Sequence, residues 1–285
     1  MKNTLIIFAA IASLFSASLI MPNQSYANES ASLPSVEFSE MRRMKQAKIT
    51  EVISPVTVLL DDGSIARLSG INVPNSIGED ISPLAVTARD ILKDLLVGKR
   101  VDIYQTKDKK TGLQNRMGHD LVHIERNADG AWAQGTLLAL GLARVKTDES
   151  TAHTAKEMLA LENQARTDKQ GIWADEAFAI IDANNEDNAE QAIGRFAIVE
   201  GAIESVALKK NRIYVNFGKD WKSDFTVSIA PEHKRSFSNK KLDPMNWGGQ
   251  RVRVRGSVRE YNGAYMEITH PESIEFLVDP TQPTP

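Results

Sequence analysis

From Ile49 onward the apolar side chains fall into two periods, and the change between them divides the chain. Ile49, Val52, Val56, Val58 and Leu60 form a β-branched run that stops at Asp61-Asp62-Gly63-Ser64, a hairpin turn signal. Ile65 to Ile71 reads as the returning strand, and Pro74 closes it. In residues 83–97, Leu84, Ala88, Ile91, Leu92 and Leu95 share one face of a helix that Ser82-Pro83 opens and Gly98 stops. Arg100–Gln105 and Asp120–Glu125 predict two further strands, joined by a charged loop. After the turn at Asp129-Gly130 come an apolar helix from Gly135 to Leu142 and a third helix over 153–168, where Met158, Leu161 and Ala165 align. Gly171-Ile172-Trp173 ends this unit, a small barrel with helices packed on it.

Beyond Arg195 only the β period remains: Phe196–Val206, Arg212–Phe217, Phe225–Ile229, Arg251–Val258 and Tyr265–Ile268, with turns at Lys209-Lys210-Asn211, Gly218, Gly248-Gly249 and Asn262-Gly263. Five strands at this spacing predict a second, all-β barrel of the oligonucleotide/oligosaccharide-binding (OB) type over 195–278. Between the two units, Asp175, Glu176, Asp182, Glu186, Asp187 and Glu190 give −6 over 16 residues with no lysine or arginine, so 175–194 reads as an acidic linker. The expected class is α+β.

Ahead of the first barrel, Lys2, an apolar run from Leu5 to Met21 and the triplet Ser25-Tyr26-Ala27 have the form of a signal peptide, 1–27, cleaved after Ala27. The alternative is an uncleaved anchor, which the short run and the small-residue site disfavour. Residues 28–46 are polar and then charged and read as a tether, so the first domain is placed at 47–174; residues 279–285 read as a disordered tail. No later segment approaches the roughly 20 apolar residues a bilayer requires, so a periplasmic or secreted protein with no membrane attachment after signal removal is expected.

Composition narrows the function. With 42% hydrophobic and 25% charged residues, whole-chain disorder, collagen-like sequence and coiled coil are excluded. The absence of cysteine excludes disulfide frameworks, thiolate zinc sites, cysteine nucleophiles and a lipidated cysteine. The formal charge of −3 excludes a chain that holds nucleic acid by charge along its whole length. Residues 195–278 nevertheless carry 14 basic against 10 acidic side chains, whereas residues 1–174 carry 20 of each.

The segments ITEVISPVTVLLDDGSIARLSGINVPN, ARDILKDLLVGKRVDIY, NRMGHDLVHI, and GTLLALGLARV followed by ALENQAR and GIW occur in that order. In these residues, 49–173, the chain resembles the thermonuclease, or staphylococcal nuclease-like (SNase-like), family. The resemblance implies an OB barrel with three helices, whose active members cleave the phosphodiester backbone of DNA and RNA with a Ca²⁺ ion. Mapped residue by residue, the family's first metal aspartate falls on Val56, within Ser54-Pro55-Val56-Thr57, the second on Asn72, and the glutamate general base on Asn75. Of the two phosphate-bracing arginines, one is kept as Arg67; the other falls on His119, in Asn115-Arg116-Met117-Gly118-His119.

These changes are chemically decisive. Valine gives a hard cation no oxygen and asparagine gives one neutral carbonyl. Asn75 has no lone pair basic enough to take a proton from water. No intact catalytic residue and no metal site is therefore expected, with Arg67, Arg116 and His119 left as phosphate-binding candidates; an ion pair at the barrel surface explains Arg67 equally well. Glu79 and Asp80 are the carboxylates on the expected rim, and Asp61 and Asp62 read as turn charges. His119 and His123, four apart on a strand, lie about 13 Å apart, too far to share a metal.

In the second barrel Tyr214, Phe217, Trp221, Lys219 and Lys222, with Arg251, Arg253, Arg255 and Arg259 alternating along another strand, have the composition of a single-strand binding surface. Core aromatics and a solvated strand face would give the same pattern. Gly194–Leu277 also resembles the extra barrel that follows nuclease-like domains in some exported bacterial proteins. The expected function is thus an exported thermonuclease-like binding module without hydrolysis and without a cofactor, whose leading ligand is single-stranded DNA or RNA. Two alternatives stand beside it: a rewired Ca²⁺-dependent nuclease using Arg67, Arg116 and His119, and an envelope scaffold whose barrels bind protein partners.

Overall fold

The computed structural model describes residues 32–74, 76–77, 80–108, 111–185, 189–220 and 223–277. The expected signal peptide and C-terminal tail lie outside them, as do Asn75, Glu79, Trp221 and Lys222. Leu33–Pro285 is one compact unit, so the two parts read from the sequence are packed together.

In chain order the first part contains β1 (Met41–Ser54), β2 (Thr57–Leu60), β3 (Ile65–Leu68), β4 (Ile71–Asn72), β5 (Ser76–Ile77), β6 (Asp80–Ile81), α1 (Pro83–Leu96), β7 (Arg100–Thr106), β8 (Asp120–Arg126), α2 (Ala133–Ala139), β9 (Arg144–Val145) and α3 (Ala155–Thr167). Strands β1-β2-β3-β8-β7 close a barrel. The long β1 serves two neighbours, β7 with its first half and β2 with its second, and register shifts at 43–45, 49–51 and 52–54 bend it to do so. The single β-branched run expected over 49–60 is divided at Pro55-Val56. Proline has no N–H to continue the ladder, so Ser54 pairs with Thr57 across a two-residue turn. Ile49, Val58, Leu60, Leu68, Ile103 and Ile124 fill the core, together with Leu92 and Leu96 of α1, Leu137 of α2 and Trp132.

Within the described residues, 32–46, of the tether expected at 28–46, the chain is packed on the barrel and becomes a strand from Met41 on. Residues 41–48 pair with β7, Phe38 stacks on Tyr104 with centroids 4.2 Å apart, and the Trp132 N–H donates to the Pro34 carbonyl at 2.8 Å. Charges that look like a solvated tether are the outer face of a half-buried strand whose Met41 and Ala47 point inward.

The second part contains β10 (Ile181–Asp182), β11 (Phe196–Ala202), β12 (Ser205–Lys209), β13 (Arg212–Asn216), β14 (Thr226–Ile229), β15 (Arg251–Glu260), β16 (Ala264–Glu267) and β17 (Ile274–Phe276). They form a sheet of order β10-β11-β15-β16-β14-β13-β12, with β17 on β15. This corrects the second closed barrel: the sheet is open, because the expected strand 196–206 breaks at Ile203-Glu204 into β11 and β12, which pair with different partners. The order of pairings nevertheless repeats the first barrel, including one parallel contact, β14 on β16 here and β3 on β8 there. The acidic linker is also corrected. Asp182 pairs with Glu200, the Asn184 amide donates to the Phe217 carbonyl at 2.7 Å, and Ala183, Ala189 and Ala192 are buried in the second core. Small apolar residues between the acids give this segment an inward face.

A buried ion network joins the parts. Arg255 of β15 is 4% exposed and donates to Glu162 of α3, itself fully buried, at 2.7 Å, and to Glu275 of β17 at 2.5 Å. Burial opposes the charge on Arg255, but the two carboxylates outweigh it and raise the guanidinium pKa.

Candidate functional site

Three of the sequence-predicted positions, Val56, Arg67 and His119, lie at β2, β3 and the start of β8, which adjoin in the barrel. Arg67 on β3 pairs with Thr57 on one side and Leu121 on the other, and the Leu68 N–H donates to the Val56 carbonyl at 2.8 Å. His119 sits just before β8, in a loop that Asn115 organises: its Oδ1 accepts from the Met117 and His119 N–H groups at 2.9 and 3.0 Å. Arg67 is half-buried, Arg116 is exposed, and neither guanidinium has a hydrogen bond or ion pair among the described residues. Val56 is buried at the β1–β2 turn and presents only methyl groups.

Asn72 lies on β4 opposite Arg144 of β9, and its Oδ1 accepts from Arg144 Nη2 at 3.0 Å. Arg144 in turn lies under the rings of Phe196, 4.9 Å to the centroid, and Phe178, 5.6 Å. Burial pushes its guanidinium down to about 10 against the pull of Glu162, so it stays charged at neutral pH. The one oxygen that Asn72 could offer a cation is therefore already used by a cation. Val56 and Asn72 do not fit Ca²⁺, and among the described residues no group of three or more His, Asp or Glu is gathered to hold another metal. Asn75 and Glu79 lie outside the described residues, and Asp80 is described only as a backbone position in β6.

Residues 65–175 match the model of the Staphylococcal nuclease homologue family. This chain carries an SNase-like domain. The match begins at β3, so the first two strands of the barrel precede it. No curated protein matches the chain.

Of the described candidates outside the SNase-like domain, Tyr214 lines one surface pocket and Arg255 and Arg259 line another. Phe217 is core, packed on Phe225 with centroids 5.3 Å apart. Three arginines of β15 are engaged by carboxylates, Arg251 and Arg253 both binding Glu200, at 2.9 and 2.8 Å, and Arg255 in the buried network, whereas Arg259 is exposed. The middle of this face of β15, Arg253 and Arg255, is covered and paired with Glu200 and Glu162, whereas Arg251 and Arg259 at its ends stay exposed. Lys219 is exposed, and Trp221 and Lys222 lie outside the described residues.

Tyr214 lines a pocket of about 320 Å³ with Lys209, Asn216, Tyr261, Asn262 and Tyr265. Tyr261 and Tyr265 meet edge to face at 5.3 Å, and the Arg259 guanidinium lies 4.8 Å from the Tyr265 centroid. Burial, with the neighbouring tyrosines, raises the Tyr214 pKa, so its phenol stays a hydrogen-bond donor at neutral pH. The turn that presents Tyr261 needs Gly263, whose φ is +85° and whose missing Cβ would collide with the Ser223 carbonyl. Sequence reading missed Tyr261 and Tyr265, although both flank the recognised Asn262-Gly263 turn. Their signal was proximity to that turn, but only the sheet shows that it folds over β13.

Proposed function

We propose that this is an exported SNase-like protein that has lost Ca²⁺-dependent hydrolysis and binds single-stranded nucleic acid, DNA or RNA. The carrying observation is the tyrosine pocket of the open sheet. Tyr261, 56% exposed, and the partly buried Tyr214 stand with Lys209 above the buried Tyr265, whose ring Arg259 covers, a pairing of flat stacking surfaces with cations that single strands require. Hydrolysis has no counterpart in the SNase-like domain, where Val56 and the engaged Asn72 leave a water nucleophile without a metal and Asn75 leaves it without a base. The sheet's pairing order, shared with the SNase-like barrel, supports reading it as an opened OB-like module, and the pocket lies on its β12–β14 face.

The test incubates the full chain with a labelled single-stranded oligonucleotide and Ca²⁺, following strand length on a gel and binding by anisotropy. An intact strand is expected, with binding that weakens steeply as salt rises and by about 1–3 kcal/mol in Tyr261→Ala. Cleavage that Arg67→Ala abolishes would overturn the reading in favour of a rewired nuclease. Absence of strand binding at low salt would leave the protein-scaffold alternative.

A further inference from the structure

We propose that the cleft between the SNase-like domain and the open sheet binds a phosphate group. The proposal goes beyond the strand-binding reading and rests on a different cavity, which shares only Arg259 with it. Lys146 and Thr147, which follow β9, face Arg255, Ser257 and Arg259 of β15 and His270 across a cavity of about 330 Å³. Three cations from two parts of the chain thus line one space of ligand-binding size. The carboxylate in the lining, Glu267, is already bound by Arg212 and lies 3.7 Å from Arg259.

Two details point to an oxyanion. Arg255 gives its Nη atoms to Glu162 and Glu275, but its Nε is buried and has no hydrogen-bond partner among the described residues. A desolvated guanidinium N–H without an acceptor is costly, and an anionic oxygen in the cavity would supply one. Lys146 is exposed, with its ammonium 5.5 Å from the Phe196 centroid and no ion pair among the described residues. Around these cations the lining is rich in hydroxyls: His270 Nε2 meets Thr147 Oγ1 at 2.9 Å, and its Nδ1 meets Ser273 Oγ at 3.0 Å and Thr269 Oγ1 at 3.1 Å. Burial lowers the His270 pKa and favours the neutral ring, in which one nitrogen donates and the other accepts; a hydroxyl that accepts from the ring N–H keeps its own O–H for another acceptor. Cations from several directions with hydroxyl donors between them suit a multidentate tetrahedral anion better than a flat carboxylate. The phosphate could belong to a free phosphate ester or to a strand backbone. Arg259 lines this cavity and also covers Tyr265 of the tyrosine pocket, so a strand with a base there would bring a phosphate here.

The experiment titrates the full chain calorimetrically with inorganic phosphate, thymidine monophosphate, thymidine and a single-stranded oligonucleotide at constant ionic strength. It is repeated with Lys146→Glu, Lys146→Ala and Arg259→Ala, all exposed positions, and with Tyr261→Ala. Saturable binding of phosphate and the monophosphate but not of thymidine is expected, weakened about tenfold or more by the Lys146 and Arg259 changes and untouched by Tyr261→Ala. Competition between phosphate and the oligonucleotide would assign the site to the strand backbone, and independence would assign it to a free ester; both support the inference. Strand binding without phosphate binding, or phosphate binding indifferent to Lys146→Glu and Lys146→Ala, would overturn it and leave the strand-binding reading standing. Phosphate binding without strand binding would do the reverse.

Discussion

Replacing Arg255 by alanine tests whether the two parts of the chain are held together by a buried charge network. The change removes the guanidinium that holds Glu162 and Glu275. Among the described residues, Glu162, with no solvent exposure, then keeps the Val145 N–H at 2.7 Å, Arg166 at 3.9 Å and the longer-range pull of Arg144. Glu275 keeps Arg253 at 3.9 Å. An uncompensated buried carboxylate costs about 3–5 kcal/mol, several times the value of an exposed ion pair. Urea unfolding reads the loss, and intrinsic fluorescence follows both cores, since Trp132 is buried in the first and Trp247 in the second. Because the desolvation cost falls on whichever partner remains, Arg255→Met combined with Glu162→Met should lie much closer to wild type than either single change. A loss below about 1 kcal/mol in Arg255→Ala would place the network with solvent-screened surface pairs and refute the reasoning.

His123 is buried, accepts from Trp132 Nε1 at 3.2 Å, and has its pKa pushed down to about 3, chiefly by burial and further by His153. Since the unfolded chain binds the proton near 6.5, stability is complete above that pH and falls as pH drops toward 3, by about 1.4 kcal/mol per unit. Urea midpoints near neutrality and at about pH 4.5 should therefore differ by roughly 2.7 kcal/mol more in wild type than in His123→Gln; equal losses would refute the assignment. Phe217→Ala should cost about 3–5 kcal/mol of stability while Tyr261→Ala changes it by less than about 0.5, and a reversal in melting experiments would mean the two rings have been placed wrongly. Asn72→Asp should leave an oligonucleotide intact in Ca²⁺, because Val56 still supplies no oxygen; a calcium-dependent product on a gel would count against that account. Asn72→Ala should lower stability by about 1.5–3 kcal/mol, the worth of a hydrogen bond from a charged donor, measured by the same unfolding assay.

The residues themselves determined most of the SNase-like domain. Strand and helix periods over 57–167 are local properties, and the helices form almost where they are predicted, α1 at 83–96 against 83–97 and α3 at 155–167 against 153–168. That Val56 and Asn72 carry no carboxylate is plain from the sequence, although only the structure shows Arg144 occupying the Asn72 oxygen. What sequence could not decide was which face of a charged segment is turned inward. Lys45 and Arg43 look like a tether until β7 pairs with them, the acids of 175–190 look like a linker until Ala183 and Ala192 are buried, and Arg253 and Arg255 look like a nucleic-acid surface until Glu162, Glu200 and Glu275 arrive from elsewhere in the chain. A charge next to water and a charge in a buried pair read the same in one dimension, because the partner that separates them is brought by contacts up to 93 residues away. The tyrosine pocket and the Lys146–Arg255 cleft belong to the same class: each is assembled from segments distant in sequence, so tertiary packing alone decides that they exist.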